Sequence, residues 1–595
     1  MINTSLVAAT SPRVSPVIRQ PDRTTKKVTV RGRELCFSSF CSRCRTRDPK
    51  IAVLVHQDCY LALQTASRQH GYDITGKDIW ELAISLQAIC PTSAARREER
   101  ERACFNSFFS NLEGLLNAPQ GQKPTLLDRL IRLPLELRQE IAVHSWRCRY
   151  QSLAVCFAQS SLLFGALQDF DATKRVESLD LAGPIYVTRL DIAGVPYISG
   201  FYTSNVPHTE SLQNHDRCKA VVAWDDIGML DMQFLTDTES GRRTQGALWY
   251  QTLEYISGAT LQIRYKQLLI GSVHVSNNSE SLLWDIPNPP NLRRHNMYNM
   301  PPRPSPIIPM RYVHLRNDSA GLTIACSRTG VVSIYTHSLC SRNKQSSRGS
   351  LDLDYFEDLV CIFFPLQARE SITHLWVRDE QERFTCIRYP AIVIRTSLGK
   401  ECTFGPYIKA DARNRYYFSS LIAGMDESVT ALCYNDLGVQ SPIHDLALAI
   451  TCTTGDSCHR SVVPSWPDAA VPRLAGTLNH DWYLSAASLD DVSRVEMLVY
   501  MSTKYVRIGA LLYYTSGDVA ALGECRINQA LLKEFRSPIA LHWSQSEEGY
   551  LQDINFLEES EETHFEDTFR SFPMRGNLVW WFSARGSKLE YMMDS

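Results

Sequence analysis

The spacing of apolar residues changes near residue 175, and this change constrains the fold more than any other feature of the chain. From Asp73 to about Leu167 apolar residues recur every three or four positions, as over 78–90, which is typical of helices. Beyond residue 175, short alternating runs rich in Val, Ile, Tyr and Thr are broken by Gly, Asn and Ser, which indicates strands. We therefore expect an α+β multidomain protein in which helical segments precede a large all-β region.

The β region contains a weak internal repeat of strand, loop, second strand and glycine turn. First strands start at Val187, Ile372 and Val495, and the matching second strands start at Ile198, Ala391 and Ile508. A lone hairpin cannot bury its apolar face, so several such units must pack together. Each unit is therefore predicted to form a hairpin. Because alternate residues of a strand share one face, four side chains are predicted to face inward. These are Leu375, Val377, Leu498 and Tyr500.

This repeat resembles the strand–turn–strand pattern of jacalin-type β-prism lectins, and it is equally similar to that of a propeller. The resemblance implies a β-prism-like or propeller-like fold for the region and nothing about a ligand. Prolines crowd into 287–309, which predicts an extended linker or surface loop between two β parts.

Composition limits the classes of protein to which the chain can belong. Its 62 Lys and Arg against 64 Asp and Glu give a net charge of −2, which argues against a whole-protein grip on nucleic acid. No stretch reaches the roughly 18 apolar residues of a membrane helix. The 18 cysteines are too few for a disulfide scaffold. We expect an intracellular protein of cytoplasm or nucleus with reduced cysteines. Since residues 1–20 are poor in acid, a mitochondrial transit peptide is an alternative.

Four residues near the N-terminus have the spacing of a zinc site. Cys41-x2-Cys44 is a tight turn that lets two thiolates hold one ion, and His56-x2-Cys59 supplies a second pair. Cys36 could replace one of them. With four protein ligands the zinc would be structural, because no position is left to activate water. The alternative is a chance cluster of reduced cysteines with an incidental histidine.

A second motif marks the start of a helix. Leu133 and Pro134 precede an acidic residue and apolar positions at helical spacing, and proline suits a first helical turn. The segment resembles the opening of the F-box family, Leu-Pro-x-Glu-(Leu/Ile)-x-x-x-Ile. The matching residues are Leu133, Pro134, Glu136, Leu137 and Ile141. The alternative is an ordinary helix N-terminus.

The F-box resemblance implies both a fold and a partner. It implies a helical module over 125–168 that docks on the Skp-type adaptor of a cullin–RING ubiquitin ligase, while a C-terminal domain holds a protein substrate. The layout of the whole chain is also similar to fungal F-box-like proteins, with a Cys-rich knuckle ending His-x-x-Cys-Tyr and a Gly-Pro after Phe404.

The domain organisation that we expect follows from these patterns. It consists of a disordered tail (1–28), a zinc knuckle (29–62), a helical segment (63–124), an F-box-like helical module (125–168), a first β-rich region (175–286), the proline-rich linker or loop (287–309) and a second β-rich region (310–595).

The sequence contains none of the common enzyme motifs, such as the phosphate-binding Gly-x-x-x-x-Gly-Lys-Ser/Thr, His-Glu-x-x-His or Gly-x-Ser-x-Gly. We therefore expect a non-catalytic adaptor that brings a bound protein to a ubiquitin ligase. The first alternative is a β-repeat protein that binds carbohydrate or protein without a ubiquitin link. The second is a hydrolase whose site is assembled from distant β loops.

Overall fold

The computed structural model describes the N-terminal part of the chain in short pieces and most of the chain beyond residue 175. The described residues are 6–10, 17–19, 27–30, 33–36, 52–56, 64, 67–68, 71–72, 78, 82, 133–134, 136–137, 176–192, 195–212, 218–255, 259–266, 268–275, 281–289, 297–299, 307–315, 319–327, 330–338, 359–380, 391–422, 427–436, 443, 445–452, 464–466, 482–501, 506–527, 531–547, 549–559 and 569–593.

Strands dominate these residues. About 65% of them lie in strands and 4% in helices, and no helix among them reaches seven residues. The predicted α+β class is therefore wrong for the described part, which is almost all β. The helical F-box-like module expected over 125–168 is not found there, although Glu136 and Leu137 are helical. The prediction relied on helical spacing before residue 175. The described residues form strands that pair into sheets, and these sheets bury their apolar faces against one another.

Two small antiparallel sheets lie near the N-terminus. Their strands are β1 (Leu6–Thr10), β2 (Val17–Arg19), β3 (Lys27–Val30), β4 (Arg33–Cys36) and β5 (Ala52–His56). β1 is the central strand of the order β2-β1-β5, and β3 pairs with β4. Strands β1 and β2 lie within 1–28, the segment expected to be a disordered tail.

The chain divides into two compact units, Met1–Asn288 and Pro289–Ser595. The division falls at the start of the proline-rich segment 287–309. No helix in the described part of the chain is long and apolar enough to cross a membrane.

The first unit continues with ten strands among its described residues. They are β6 (Val176–Asp180), β7 (Ile185–Ile192), β8 (Val195–Tyr202), β9 (Glu210–Leu212), β10 (Lys219–Trp224), β11 (Met229–Leu235), β12 (Trp249–Glu254), β13 (Thr260–Lys266), β14 (Leu269–Val275) and β15 (Ser281–Trp284).

The second unit holds the remaining elements. They are β16 (Met297–Asn299), β17 (Ile307–His314), β18 (Ser319–Ser327), β19 (Gly330–Ser338), β20 (Val360–Pro365), β21 (Ile372–Glu380), β22 (Ala391–Thr396), β23 (Glu401–Phe404), a 3-10 helix (Ala410–Arg415), β24 (Tyr416–Ser420), β25 (Glu427–Asn435), β26 (Asp445–Cys452), β27 (Tyr483–Ser488), β28 (Val492–Met501), β29 (Val506–Tyr514), β30 (Val519–Gly523), β31 (Leu531–Arg536), β32 (Pro538–Gln545), β33 (Leu551–Glu558), β34 (Arg570–Pro573), β35 (Asn577–Ser583) and β36 (Gly586–Met592).

One strand-pairing scheme occurs three times in these strands. In repeat C (β27–β36), the first strand pairs with the last hairpin, β35–β36, and closes one sheet. Two further sheets form from β28–β31 and from β32–β34. Repeat B (β17–β26) closes in the same way, with β17 on β25–β26 around the sheets β18–β20 and β21–β24. Repeat A (β6–β14) pairs β6 with β13–β14, and its other strands pair in the orders β8-β7-β9 and β11-β10-β12, where β12 also pairs with β15.

We call each repeat a β-prism after the arrangement of its sheets. Its three antiparallel sheets contact one another in pairs and enclose a common apolar interior. In two sheets the fourth strand returns to pair with the first, which is a Greek key: β23-β22-β21-β24 in repeat B and β30-β29-β28-β31 in repeat C. In the second unit, the inner faces of repeats B and C contribute to one continuous hydrophobic cluster.

All three predicted hairpins are confirmed, as β7–β8, β21–β22 and β28–β29. The predicted inward faces are only half right. Leu375 and Val377 lie in the shared core, but Leu498 belongs to a separate cluster on the opposite face of β28. Tyr500, two residues further, shares that face. The core residues of β28 are Val495 and Met497. The sequence alignment of the repeats was displaced by three residues, and an odd displacement moves every side chain to the other face.

A buried ion cluster joins repeats B and C. Arg507 and Arg526 of repeat C lie 2.8 and 2.9 Å from the Glu524 carboxylate, and all three side chains are buried. Both guanidinium groups donate to the carbonyl of Leu359 in repeat B. The backbone N–H of Cys525 donates to the carbonyl of Cys361 at 3.1 Å. These bonds fix the relative position of two β-prisms within the second unit.

Three hairpin glycines of the second unit have a positive φ, and one of them also allows a close approach. Gly399 and Gly517 occupy the same turn in two hairpins, with φ of 80° and 87° and open space around them. Gly523 also has a positive φ, 71°, but a Cβ there would lie 2.7 Å from the Ile508 carbonyl oxygen and 2.8 Å from the Trp580 ring. Position 523 therefore excludes a side chain for two reasons, its backbone conformation and the lack of space around it.

We predict that Gly523→Ala destabilises the protein by about 2–4 kcal/mol, because it adds a steric clash to the strain of a positive φ. The matched control Gly517→Ala adds only the strain and should cost about 1 kcal/mol. Urea unfolding of the full chain, followed by tryptophan fluorescence, measures both. Equal midpoints for the two variants would contradict the steric argument.

A histidine in repeat B makes the stability depend on pH. His337 bonds to the Thr323 hydroxyl at 2.7 Å and meets the Phe363 ring edge-on at 5.5 Å. Burial lowers the pKa of His337 from 6.5 to about 4. The folded state therefore favours the neutral ring, whereas the unfolded chain takes up a proton near pH 6.5. Stability from this group is full above pH 6.5 and is lost as the pH falls towards 4.

We expect this loss to reach about 3 kcal/mol at pH 4, since each pKa unit corresponds to about 1.4 kcal/mol. His337→Gln should flatten the dependence of the unfolding midpoint on pH between 4 and 6.5 relative to the parent. Urea titrations at several pH values give both curves. Parallel curves for parent and variant would show that His337 does not carry the effect.

Candidate ligand-binding site

The predicted zinc ligands fall largely outside the described residues. Cys36 ends strand β4 and His56 ends strand β5, while Cys41, Cys44 and Cys59 lie outside the described residues. In the part of the chain that the structure describes, no group of three or more His, Cys, Asp or Glu side chains could hold a metal ion. Zinc binding at the N-terminal site therefore stays a prediction.

The predicted adaptor-binding residues are described in part. Leu133 is half-buried, and Pro134, Glu136 and Leu137 are exposed, Leu137 by 46%. Ile141 lies outside the described residues. An exposed leucine and proline leave an apolar edge available, but adaptor binding by these residues stays a prediction.

A different site lies on the outer face of the sheet β23-β22-β21-β24 in repeat B. Because alternate residues of β21 point to opposite faces, Leu375 and Val377 enter the core while His374, Trp376 and Arg378 share the outer face. His374 stacks on Trp376 with ring centroids 5.2 Å apart. The face is therefore built from rings and cations rather than from solvated polar residues.

Arg378 is the unusual residue of this face, since its side chain is a fully charged group in the protein interior. It is 2% exposed, and its Nη2 donates to the Pro406 carbonyl at 2.6 Å. A Cβ at Gly405 would lie 2.3 Å from the Cβ of Ala391, so the close approach of this segment to β22 requires glycine. The Nε of Arg378 is buried and has no hydrogen-bond partner among the described residues. Burial lowers the pKa of Arg378 to about 10, so the group stays protonated at neutral pH.

Aromatic rings surround the two arginines at this end of the sheet. The Arg378 guanidinium lies 5.6 Å from the Tyr416 ring centroid and 5.8 Å from that of Trp466. Arg413, on the 3-10 helix, lies 5.4 Å from the same Trp466 ring and donates to the Tyr407 hydroxyl at 3.5 Å. At these distances the ring faces attract both cations. We call these five residues the arginine–aromatic cluster.

The cluster reaches the surface and extends towards repeat C. Arg378 is buried, whereas the other four residues of the cluster are half-buried. Lys409, Asp411 and Arg415, at or next to the 3-10 helix that carries Arg413, are exposed. On the other side of the cluster Tyr407 packs edge-on against Trp581 of repeat C at 4.9 Å, and its N–H donates to the Trp482 carbonyl at 2.7 Å. The site therefore lies at the junction of two β-prisms.

Sequence reasoning missed this site for two reasons. Arg378 alternates with core residues on a predicted strand, and such a pattern normally indicates a solvated charge. Trp466 lies in a different segment, and no local pattern brings it to β21. The available signal was the pair Trp376 and Arg378, which are two residues apart and therefore share one face of a predicted strand.

Comparisons with known proteins add little to this geometry. No family model matches the chain, and no curated protein matches it. Among solved structures it is similar to the V. cholerae biofilm matrix protein Bap1, at 10% sequence identity and a TM-score of 0.17. The match covers 69% of this chain and 62% of that chain. A likeness this weak carries no argument about fold or function.

For the N-terminal site we predict one zinc ion per chain, bound by Cys41, Cys44, His56 and Cys59. Elemental analysis of the purified chain measures it. Replacing Cys41 and Cys44 together by serine should abolish the zinc, because two of four ligands are lost. Cys218→Ser is the control, since this free cysteine lies in repeat A and its replacement should leave the zinc in place. A metal-free parent protein would refute the prediction.

Proposed function

We propose that the protein is a recognition protein without chemistry of its own, and that its second unit binds a partner protein through the arginine–aromatic cluster. The observation that carries this proposal is the composition of the cluster, in which two arginines lie against tyrosine and tryptophan rings. Tryptophan, tyrosine and arginine are the residues that dominate the energy of protein interfaces. Guanidinium groups and rings bind ligands rather than react with them.

The position of the cluster supports the same conclusion. Its rings are half-buried, so part of each ring surface contacts the protein and part is accessible. The sheet beneath is rigid, because the other face of β21 belongs to the shared core of repeats B and C. Side chains held in place before binding lose little conformational entropy when a partner arrives.

Delivery of the bound protein to a ubiquitin ligase is a separate hypothesis, supported only by the sequence resemblance around Leu133 and Pro134. Co-purification of the full chain with a Skp-type adaptor tests it directly. The recognition function proposed for the second unit does not depend on the outcome.

A selection experiment tests the recognition function. A random peptide library displayed on phage is panned on the immobilised full chain, and the affinities of enriched peptides are then measured by fluorescence anisotropy. Trp466→Ala should weaken the binding of these peptides at least tenfold, because it removes the ring that both arginines contact.

The control is Leu398→Ala. Leu398 is 56% exposed in the turn between β22 and β23, at the opposite end of the same sheet. Its replacement should leave the affinities unchanged. Peptides that bind the parent and Trp466→Ala equally well would place protein recognition elsewhere. If no peptide is enriched but neutral oligosaccharides bind the parent and not the variant, carbohydrate binding replaces the proposal.

A further inference from the structure

The arginines on the outer faces of repeats B and C differ in how their charges are balanced. Arg507 lies 2.8 and 3.0 Å from the two oxygens of Glu524. Arg395, on the same face as Arg378, lies against the Trp376 ring and is paired with Glu401 at 2.5 Å. Arg378 forms no ion pair with any carboxylate among the described residues, although it is as buried as Arg507.

Three described acidic residues lie on the elements around Arg378, and none of them pairs with it. Asp379 follows it on β21 and therefore points to the other face of the sheet. Its carboxylate accepts hydrogen bonds from the Glu380 N–H at 2.9 Å and from the Tyr417 hydroxyl at 3.3 Å. Glu380 shares the face of Arg378 but lies two residues further along β21, opposite Tyr416. Asp411 is exposed on the 3-10 helix.

An unbalanced buried cation is costly. Removing a charged group from water costs several kcal/mol unless an opposite charge or several hydrogen bonds replace the solvent. Arg378 has one carbonyl and two aromatic rings, and its Nε makes no hydrogen bond to the described residues. A guanidinium binds a carboxylate with two parallel hydrogen bonds, and Nε with a neighbouring Nη forms one edge of that fork.

We propose that the partner segment recognised by the arginine–aromatic cluster is acidic, and that one Asp or Glu carboxylate of that segment pairs with the Arg378 guanidinium beside Trp466. This inference rests on the proposed function and specifies the chemistry of its ligand. Further positive charge at the rim comes from Arg413, which also lies against the Trp466 ring, and from the exposed Lys409 and Arg415. Recognition of acidic motifs by arginine clusters is a recurrent mode of peptide binding.

The experiment compares two fluorescein-labelled peptides on the full chain, pentaglutamate and pentaglutamine. The first should bind at least tenfold more tightly, and its affinity should fall as salt is raised, because the interaction is between charges. Arg378→Met should remove this preference. The matched control Arg395→Met changes an arginine on the same sheet face that already has a carboxylate partner, and it should keep the preference within about twofold.

Several outcomes would overturn the inference. Equal binding of the two peptides to the parent would show that charge is not recognised, and this comparison needs no variant. An unchanged preference in Arg378→Met would exclude Arg378. If that variant does not fold, as judged by circular dichroism, Arg378→Lys replaces it. A folded Arg378→Lys chain that binds pentaglutamate as tightly as the parent would exclude the two-bond pairing, because a lysine lacks the guanidinium fork.

The same experiments separate this inference from the proposed function. Peptides from the library that are neutral, bind the parent and lose affinity on Trp466→Ala would support protein recognition and refute the acidic partner. Failure of every peptide, acidic or neutral, would refute both.

Discussion

The pairing of each repeat's first strand with its last hairpin is the constraint on which the rest of the structure depends. This pairing closes one sheet, and the closed sheet holds the other two against a common interior. Inner faces are therefore reserved for apolar residues, as with Leu375 and Val377. Outer faces are free to carry rings and charges without weakening the core. The arginine–aromatic cluster exists because the fold separates these two tasks onto the two sides of single strands.

The junction between repeats B and C shows how such a fold uses buried charge. Arg507, Glu524 and Arg526 lie in the interior and bond to the backbone of the neighbouring repeat. A buried ion cluster contributes little net stability, since desolvation offsets its attraction. Its bonds are directional, however, and they define how one prism sits against the next. Tyr407 and Trp581, which meet across this junction, owe their contact to that alignment.

The strands and hairpins could be predicted from the sequence, but the site could not. Alternation of apolar residues indicated β21, β22, β28 and β29, because a strand half buried in a core requires it. The predicted face of Leu498 was wrong, because the weak repeats were aligned three residues out of register. An odd shift places every side chain of a strand on the opposite face of the sheet. Arg378 and Trp466 come from distant segments, and only tertiary packing brings them together. The predicted α+β class was wrong for the described residues, because almost all of them lie in strands and no helix among them reaches seven residues.

Closure also has a consequence for how the chain is made. During synthesis Tyr483 leaves the ribosome long before Phe582, with which it pairs, and the sheet cannot be completed until that last hairpin emerges. Until then the first strand of each prism remains an unpaired edge strand, and this incomplete state occurs once for every repeat. Folding dominated by such distant pairings is slow. A chain of tandem prisms is thus most exposed to misassociation while it is nascent, and chaperone protection would matter most in those intervals.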